Sequence, residues 1–192
     1  MAPFWSEQAW NAHSAHGGGS VAAQAVAIGR ARLARLIGAM PAEVYFTSGA
    51  TEANNVALLG LAAAARTGLP TRRRILTSMI EHKCVLDSAR HLAGQGFEHE
   101  LIPVDCTGIV DLNVLEAMLD EHVLLVAVMA ANNEVGTCQP LAAVAELCAR
   151  HGALFHVDAA QAVGRMRFDV MTAGCDSASL SAHKFYGPKG IG

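Results

Sequence analysis

The chain has 192 residues, of which 52% are hydrophobic and 16% charged, enough to bury one sizeable core. Its formal net charge of −3, with Arg72–Arg74 as the main cationic cluster, argues against nucleic acid as a partner. The five cysteines include no Cys-x-x-Cys pair, so neither a disulfide framework nor a metal site is predicted. The amino terminus lacks a basic segment followed by an apolar one, and no uninterrupted stretch is long enough to span a membrane. We therefore expect a cytoplasmic protein without a membrane segment.

The first part of the chain is predicted to be an entry segment, residues 1–19, followed by one domain over residues 20–192. Ser20 is a plausible N-cap for a helix that ends at Met40-Pro41, because apolar residues recur near helical spacing between them. Residues 43–46 are predicted to form a short strand.

The remainder of the chain alternates between strands and helices. A turn at residues 47–52 opens a long helix rich in alanine and leucine, which ends near Thr67-Gly68. Strands are predicted at residues 74–78, 97–103, 123–129, 153–157 and 176–180, and helices at 85–92, 113–120 and 140–151. This alternation predicts an α/β fold of three layers, α/β/α, with a mainly parallel sheet.

The turn before the long helix is a candidate phosphate site. A glycine-bearing turn between a strand and a helix start presents free backbone N–H groups to an anion. Gly49 alone is weak evidence, and an ordinary turn capped by Ser48 or Thr51 is the alternative.

Lys184 is a candidate amine nucleophile. It follows a run of small and polar residues and precedes a glycine-rich turn, and desolvation by tightly packed backbone favours the neutral amine that attacks an aldehyde. The alternative, considered in isolation, is an exposed surface cation.

Polar residues follow the predicted strands repeatedly, at the strand ends where ligands bind in such sheets. Taken one at a time, His82 could be a loop histidine, Asn133 a turn former and Asp158 an N-cap. Together with Lys184 they supply what pyridoxal phosphate requires: an amine, a carboxylate, a flat ring partner and phosphate donors. Pyridoxal phosphate is therefore the predicted cofactor.

The same stretches resemble a known family. They are FTSGATEANN (46–55), EHK (81–83), NNEVGTCQP (132–140), HVDAAQAVG (156–164) and SLSAHKFYGPKGIG (179–192). In combination they are similar to cysteine desulfurases of the iron-sulfur-cluster and nitrogen-fixation type, within the pyridoxal phosphate fold-type I superfamily. The resemblance extends from about Asn11 to the end and implies a fold-type I large domain, incomplete and without the small domain.

The resemblance implies a role for each candidate side chain. Lys184 is expected to bind the cofactor aldehyde covalently and then to move the substrate's α-proton. Asp158 is expected to pair with the pyridine nitrogen, and His82 to stack on the ring and act as an acid or base. The phosphate is expected to be held by Ala50, Thr51, Ser181 and His183. Asn133 and Gln161 are expected near the substrate carboxylate and the ring oxygen.

The implied reaction converts L-cysteine to L-alanine and leaves sulfur on an enzyme cysteine as a persulfide. A sulfur-acceptor or scaffold protein and a homodimer are the partners that the resemblance implies. In the family, the nucleophilic cysteine and a substrate-binding arginine follow the cofactor lysine at a distance, so this chain is expected to lack both and to be inactive alone. The alternatives are a selenocysteine lyase, another class V aminotransferase, or a noncatalytic cofactor-domain fragment.

Overall fold

The computed structural model describes residues 2–192, which form two compact units, one ending at Tyr45 and the other comprising Phe46–Gly192. The first unit consists mainly of α1 (Gly17–Ile37), with short 3-10 helices at Ala2–Trp5 and Pro41–Glu43. Gly38 ends α1 in the left-handed region, with φ of 73°, and its N–H bonds to the carbonyl of Ala34.

Two predictions for this first unit are wrong. The helix begins at Gly17 and not after Ser20, because His16 caps it: Nδ1 of His16 accepts a hydrogen bond from the N–H of Gly19 at 3.2 Å. The predicted strand at residues 43–46 is absent from the described residues, since the chain forms the 3-10 turn Pro41–Glu43 there. Pro41 presets the backbone for that turn, and local geometry prevails over the short apolar run.

The second unit contains five α-helices, five strands and the 3-10 helix Ala182–Phe185. The helices are α2 (Ala50–Gly68), α3 (Lys83–Ala93), α4 (Leu112–Met118), α5 (Leu141–His151) and α6 (Val170–Ala173). The strands are β1 (Arg74–Ser78), β2 (Glu98–Ile102), β3 (Val123–Ala127), β4 (Leu154–Asp158) and β5 (Ser177–Ser179). The predicted strands and helices of this unit are confirmed to within a few residues, and α6 was not predicted.

All five strands are parallel, in the order β2-β1-β3-β4-β5. The order reverses direction between β1 and β3, so right-handed connections place α3 on one face of the sheet and α4, α5 and α6 on the other. Helix α2 packs against α3 and against β4 and β5. The predicted three-layer α/β fold with a parallel sheet is therefore confirmed.

The core of this unit lies between the sheet and the pair α2 and α3. Ile75 and Leu125 of the sheet are fully buried against Leu58 of α2 and Val85 of α3. Strand β3 is buried along its whole length, as expected for a central strand covered on both faces. This packing aligns the carboxyl ends of β1, β3, β4 and β5 along one edge of the sheet. None of the helices within residues 2–192 combines the length and apolarity that crossing a bilayer requires.

Candidate active site

A cavity of about 500 Å³ opens beside the carboxyl ends of these strands. It is the switch point where a doubly wound sheet commonly binds its ligand. The lining includes all nine side chains singled out from the sequence: Ala50, Thr51, His82, Asn133, Asp158, Gln161, Ser181, His183 and Lys184. The fold therefore brings together residues that are up to 134 positions apart in the chain, from Ala50 to Lys184.

The amino end of α2 forms one wall of the cavity. The first hydrogen bond of the helix runs from the N–H of Ala53 to the carbonyl of Gly49 at 3.0 Å, so the N–H groups of Ala50 and Thr51 have no acceptor within the helix. Gly49 occupies the N-cap position and offers no side chain, so the alternative of a helix capped by Ser48 or Thr51 is not observed. This end of α2 can donate hydrogen bonds to an anion in the cavity.

Lys184 lies in a 3-10 helix, Ala182–Phe185, whose backbone is set by neighbouring turns. Within residues 2–192 its amine has no hydrogen-bond or ion-pair partner, although the side chain is half-buried and lines the cavity. A half-buried amine without a partner is available to a ligand.

Gly164 holds this turn in place from the loop after β4. A Cβ built on Gly164 would lie 2.4 Å from Cβ of Phe185, and the φ of Gly164 is 78°. Only glycine allows this approach and this backbone conformation together. The position of Lys184 therefore depends on close packing between two loops.

Two further groups from the same segment face the cavity. Ser181 is buried, and its hydroxyl lies 3.0 Å from Nδ1 of His183. Lys189 also lines the cavity, which places a second cation near the amino end of α2. Hydroxyl, imidazole and ammonium groups beside free N–H donors are suited to bind a phosphate.

Asp158 ends β4 and presents a buried carboxylate to the cavity, with 5% of its surface exposed. One oxygen, Oδ2, accepts a hydrogen bond from Nδ2 of Asn54 at 2.8 Å, and Oδ1 accepts one from the N–H of Ala160 at 3.0 Å. Burial raises the pKa of Asp158, and these two hydrogen bonds oppose the increase. The carboxylate is therefore held in one orientation and is suited to pair with a cation.

Asn54 continues into a buried chain of hydrogen bonds. Its Oδ1 lies 2.8 Å from Nε2 of His156, and Nδ1 of His156 lies 2.9 Å from the hydroxyl of Ser177. His156 is fully buried, and burial lowers its pKa to about 4, so the ring is neutral near pH 7. Sequence reasoning missed Asn54 and His156. The available signal was spacing: His156 precedes Asp158 by two residues on β4, and Asn54 follows Thr51 by three on α2.

His82 caps α3 and contacts Cys84. Its Nδ1 accepts a hydrogen bond from the N–H of Cys84 at 3.2 Å and lies 3.0 Å from Sγ of Cys84. The thiol of Cys84 is half-buried and lines the cavity. Its Sγ accepts a hydrogen bond from Nδ2 of Asn54, on α2, at 3.3 Å.

Glu81 lies behind His82 and is buried, with 6% of its surface exposed. Its Oε1 accepts a hydrogen bond from the N–H of Met129, and within the described residues its Oε2 has no partner. Burial, together with the nearby charge of Asp158, raises the pKa of Glu81 well above its usual value. The carboxyl connects the loop after β1 to the end of β3.

Asn133 and Gln161 line the cavity from loops that follow β3 and β4. Asn133 is exposed and Gln161 is half-buried, so both side chains are open to a bound molecule. Among residues 2–192 no group of three or more histidine, cysteine or acidic side chains is arranged to hold a metal ion.

The whole chain is similar to proteins of one known family. The family model described as aminotransferase class-V matches residues 1–192. A protein named cysteine desulfurase IscS, from Rickettsia felis, is 44% identical over 193 aligned residues that cover 100% of this chain and 46% of the relative.

Solved structures agree with this match. A structure described as a NifS-like protein superposes with a TM-score of 0.95 at 41% identity, covering 100% of this chain and 52% of that one. A structure described as SspA in complex with cysteine superposes with a TM-score of 0.92 at 37% identity, covering 98% of this chain and 54% of that one. The chain thus spans about half the length of the proteins it matches.

Proposed function

Because the chain belongs to the class V aminotransferase family, we propose that it forms the cofactor-binding part of a pyridoxal-phosphate-dependent cysteine desulfurase. The proposal depends mainly on one observation: Lys184 and Asp158 line the same cavity. The amine of Lys184 has no partner among the described residues, and the carboxylate of Asp158 is buried and held in one orientation. The similarity to a protein named cysteine desulfurase and to a structure in complex with cysteine supports the choice of substrate.

The donor set of the cavity fits pyridoxal phosphate. Free N–H groups of Ala50 and Thr51, together with Ser181 and His183, are suited to the phosphate. Asp158 is suited to a protonated pyridine nitrogen, and the half-buried amine of Lys184 to the aldehyde. When bound, the cofactor supplies an electron sink for bond breaking at the α-carbon of an amino acid.

Each residue that lines the cavity has a separate role in the reaction at that carbon. Asp158, buried and held by two hydrogen bonds, would pair with the pyridine nitrogen and keep it protonated. Lys184 would move the proton at the α-carbon, and His82 would stack on the cofactor ring and exchange protons with the substrate through Nε2. Asn133 would bind the substrate carboxylate and Gln161 the ring oxygen.

In the proposed reaction, the bond between Cβ and sulfur of L-cysteine breaks and a thiolate of the enzyme takes the sulfur. L-Cysteine and an enzyme thiol become L-alanine and an enzyme persulfide, with no change in the total number of electrons. Cys84 is poorly suited to be that thiolate, because burial raises its pKa and Asn54 and His82 occupy its sulfur. We therefore propose that the acceptor thiol comes from a segment other than those that line this cavity.

Partners of the whole protein are also part of the proposal. Several apolar side chains of the described residues are exposed, including Val21, Ile28 and Leu36 on α1 and the fully exposed Tyr186. Such surface suits a homodimer, which light scattering after gel filtration would detect. A sulfur-acceptor or scaffold protein would receive the persulfide sulfur for iron-sulfur cluster assembly. All five cysteines are unpaired, which suits a reducing compartment such as the cytoplasm.

The first experiment tests cofactor binding at Lys184. The chain is incubated with pyridoxal phosphate, reduced with borohydride and digested, and the modified lysine is located by mass spectrometry. We expect the label on Lys184 in the wild type and in Lys83→Ala, and its loss in Lys184→Ala. Lys83 is the control because its side chain is 80% exposed and pairs with Asp87. A label confined to Lys83 or Lys189, or no label at all, would refute the proposed cofactor site.

The second experiment separates desulfuration from aminotransfer. The complete protein that carries this sequence is incubated with L-cysteine, and alanine, persulfide and keto acid are measured. Alanine and persulfide in equal amounts are expected, whereas keto acid as the main product would indicate an aminotransferase. If Lys184 is labelled in the first experiment but neither alanine with persulfide nor keto acid is formed, the chain would be a noncatalytic cofactor domain.

A further inference from the structure

Asn54 is the point where three buried or half-buried side chains of the site meet. It is itself fully buried on α2. Its Nδ2 donates to Asp158 and to Sγ of Cys84, at 2.8 and 3.3 Å, and its Oδ1 lies 2.8 Å from Nε2 of His156. The amide therefore uses both of its N–H groups and its oxygen, and no part of it is left without a partner.

The direction of each hydrogen bond follows from these contacts. An ionised carboxylate only accepts, so Nδ2 of Asn54 must face Asp158 and Oδ1 must face His156. His156 must then carry its proton on Nε2, and its Nδ1 accepts from the hydroxyl of Ser177. The tautomer of His156 is thereby determined by Asn54.

A second branch reaches His82. Nδ1 of His82 accepts the N–H of Cys84 at 3.2 Å, so this nitrogen carries no proton while the ring is neutral. Sγ of Cys84 accepts from Asn54, and burial raises its pKa and keeps the thiol protonated. The S–H is then free to donate to Nδ1 of His82, 3.0 Å away. The proton of a neutral His82 therefore lies on Nε2.

We infer that Asn54 is a positioning residue that orients the Asp158 carboxylate and keeps the proton of His156 on Nε2. One amide thus joins the carboxylate that lines the cavity to the buried imidazole behind it. Its value for catalysis rests on the proposed function, in which Asp158 pairs with the pyridine nitrogen. The hydrogen bonds of Asn54 and their directions are present in the chain without any ligand.

The tautomers can be read directly by two-bond ¹H–¹⁵N nuclear magnetic resonance of the ligand-free chain at pH 7. We expect both His82 and His156 to carry the proton on Nε2. A proton on Nδ1 of His156 in the wild type would overturn the inference, and this measurement requires no variant to fold.

Two substitutions then separate the contacts. Asn54→Leu removes the amide at similar volume, and we expect a mixture of tautomers at His156, whereas His82 keeps its proton on Nε2 because the N–H of Cys84 still bonds to its Nδ1. Cys84→Ala removes only the thiol, so both histidines should keep their tautomers. Asn55→Leu is the matched control on the same helix, because Asn55 bonds to Ser88 and not to these histidines. A folded Asn54→Leu chain in which the tautomer of His156 is unchanged would overturn the inference.

A third measurement links the network to the proposed cofactor. We expect pyridoxal phosphate to dissociate at least about ten-fold faster from Asn54→Leu than from Asn55→Leu, because Asp158 loses one of its two hydrogen-bond donors. Equal dissociation rates would contradict the role of Asn54 in orienting Asp158. If the wild type does not bind the cofactor, the proposed function is refuted. The inference about Asn54 is then still tested by the tautomer of His156, which is measured on the ligand-free chain.

Discussion

The side-chain oxygen of Asn54 accepts a hydrogen bond from Nε2 of His156 at 2.8 Å, which joins α2 to β4 across 102 positions of the chain. Both side chains are fully buried, so neither can exchange this bond for water. The contact explains how a polar chain from Ser177 to Asp158 persists inside an apolar core. It also makes the site sensitive to any change that charges or removes one of its members.

Protonation of His156 should destabilise the fold in mild acid. Its pKa is lowered from the usual value near 6.5 to about 4 by burial, so the unfolded chain binds this proton more readily than the folded chain. Stability is therefore fully present above about pH 6.5 and is lost as the pH falls toward 4, by at most about 1.4 kcal/mol per pH unit. Urea unfolding at pH 7, 6 and 5 measures this slope.

The variant His156→Gln isolates that contribution. It should be less stable than the wild type at pH 7 but lose less stability between pH 6.5 and 4. His13→Gln is the control, because His13 is exposed and should leave the slope unchanged. If the unfolding free energies of the wild type and His156→Gln depended on pH in the same way, the pKa of His156 would not be lowered by its burial.

Glu81 should produce the opposite dependence on pH. The folded chain binds this proton more tightly than the unfolded chain, because burial raises the pKa of Glu81 well above the usual value near 4.3. Stability should therefore decline as the pH rises from about 4.3 through the folded-state pKa. Glu81→Gln keeps an acceptor for the N–H of Met129 and carries no charge, so its unfolding free energy should decline less over that range.

The exposed Glu98 provides the comparison for Glu81, since Glu98→Gln should follow the wild-type curve. If Glu81→Gln and Glu98→Gln gave the same pH dependence, Glu81 would have to be ionised in the folded chain. The free energy of unfolding by urea between pH 5 and 8 is the quantity to compare.

Gly164→Ala should displace the turn that carries Lys184. The new Cβ would meet Phe185 at 2.4 Å, and the φ of 78° is unfavourable for alanine. We expect a loss of about 1–3 kcal/mol in stability and slower labelling of Lys184 by pyridoxal phosphate and borohydride. Gly60→Ala, on an exposed helix position with no atom within 4 Å, should instead stabilise the chain by about 0.5–1 kcal/mol. Unchanged labelling in Gly164→Ala would show that the turn tolerates the contact.

Arg74 should stabilise the sheet through a charge cluster in which the arginine is mostly buried and its two acidic partners are partly exposed. Its guanidinium contacts Glu100 and Asp120 at 2.7 Å and donates to the carbonyl of Met118 at 2.9 Å, with 17% of its side chain exposed. Arg74→Met should cost about 1–3 kcal/mol, because these groups lose a shared donor. Arg90→Met, at a 60% exposed side chain paired with Asp87, should cost less than about 1 kcal/mol. Thermal unfolding in low salt would compare the stability of the two variants. Equal losses of stability would mean that the burial of Arg74 does not strengthen its ion pairs.

The alternation of apolar strands with helical segments was sufficient to predict the parallel α/β sheet from the sequence. Apolar runs such as Val123–Ala127 have one stable location, a central strand covered on both faces, whatever the rest of the chain does. The nine side chains predicted for the site also line one cavity, because the carboxyl ends of parallel strands meet at the same edge. The cap of α1 and the 3-10 turn at Pro41–Glu43 were mispredicted because local hydrogen bonds decide element ends.

Only the tertiary structure decided which buried polar groups support the site. Asn54, His156 and Cys84 come from α2, β4 and α3, and no local pattern pairs an amide with a histidine 102 positions later. Their partnership arises because burial removes water and each polar atom must then find a partner within the protein. Residue types and strand periodicity determine the architecture and the chemistry available at its edge. The packing of α2 and α3 against the sheet determines the direction of each hydrogen bond behind it.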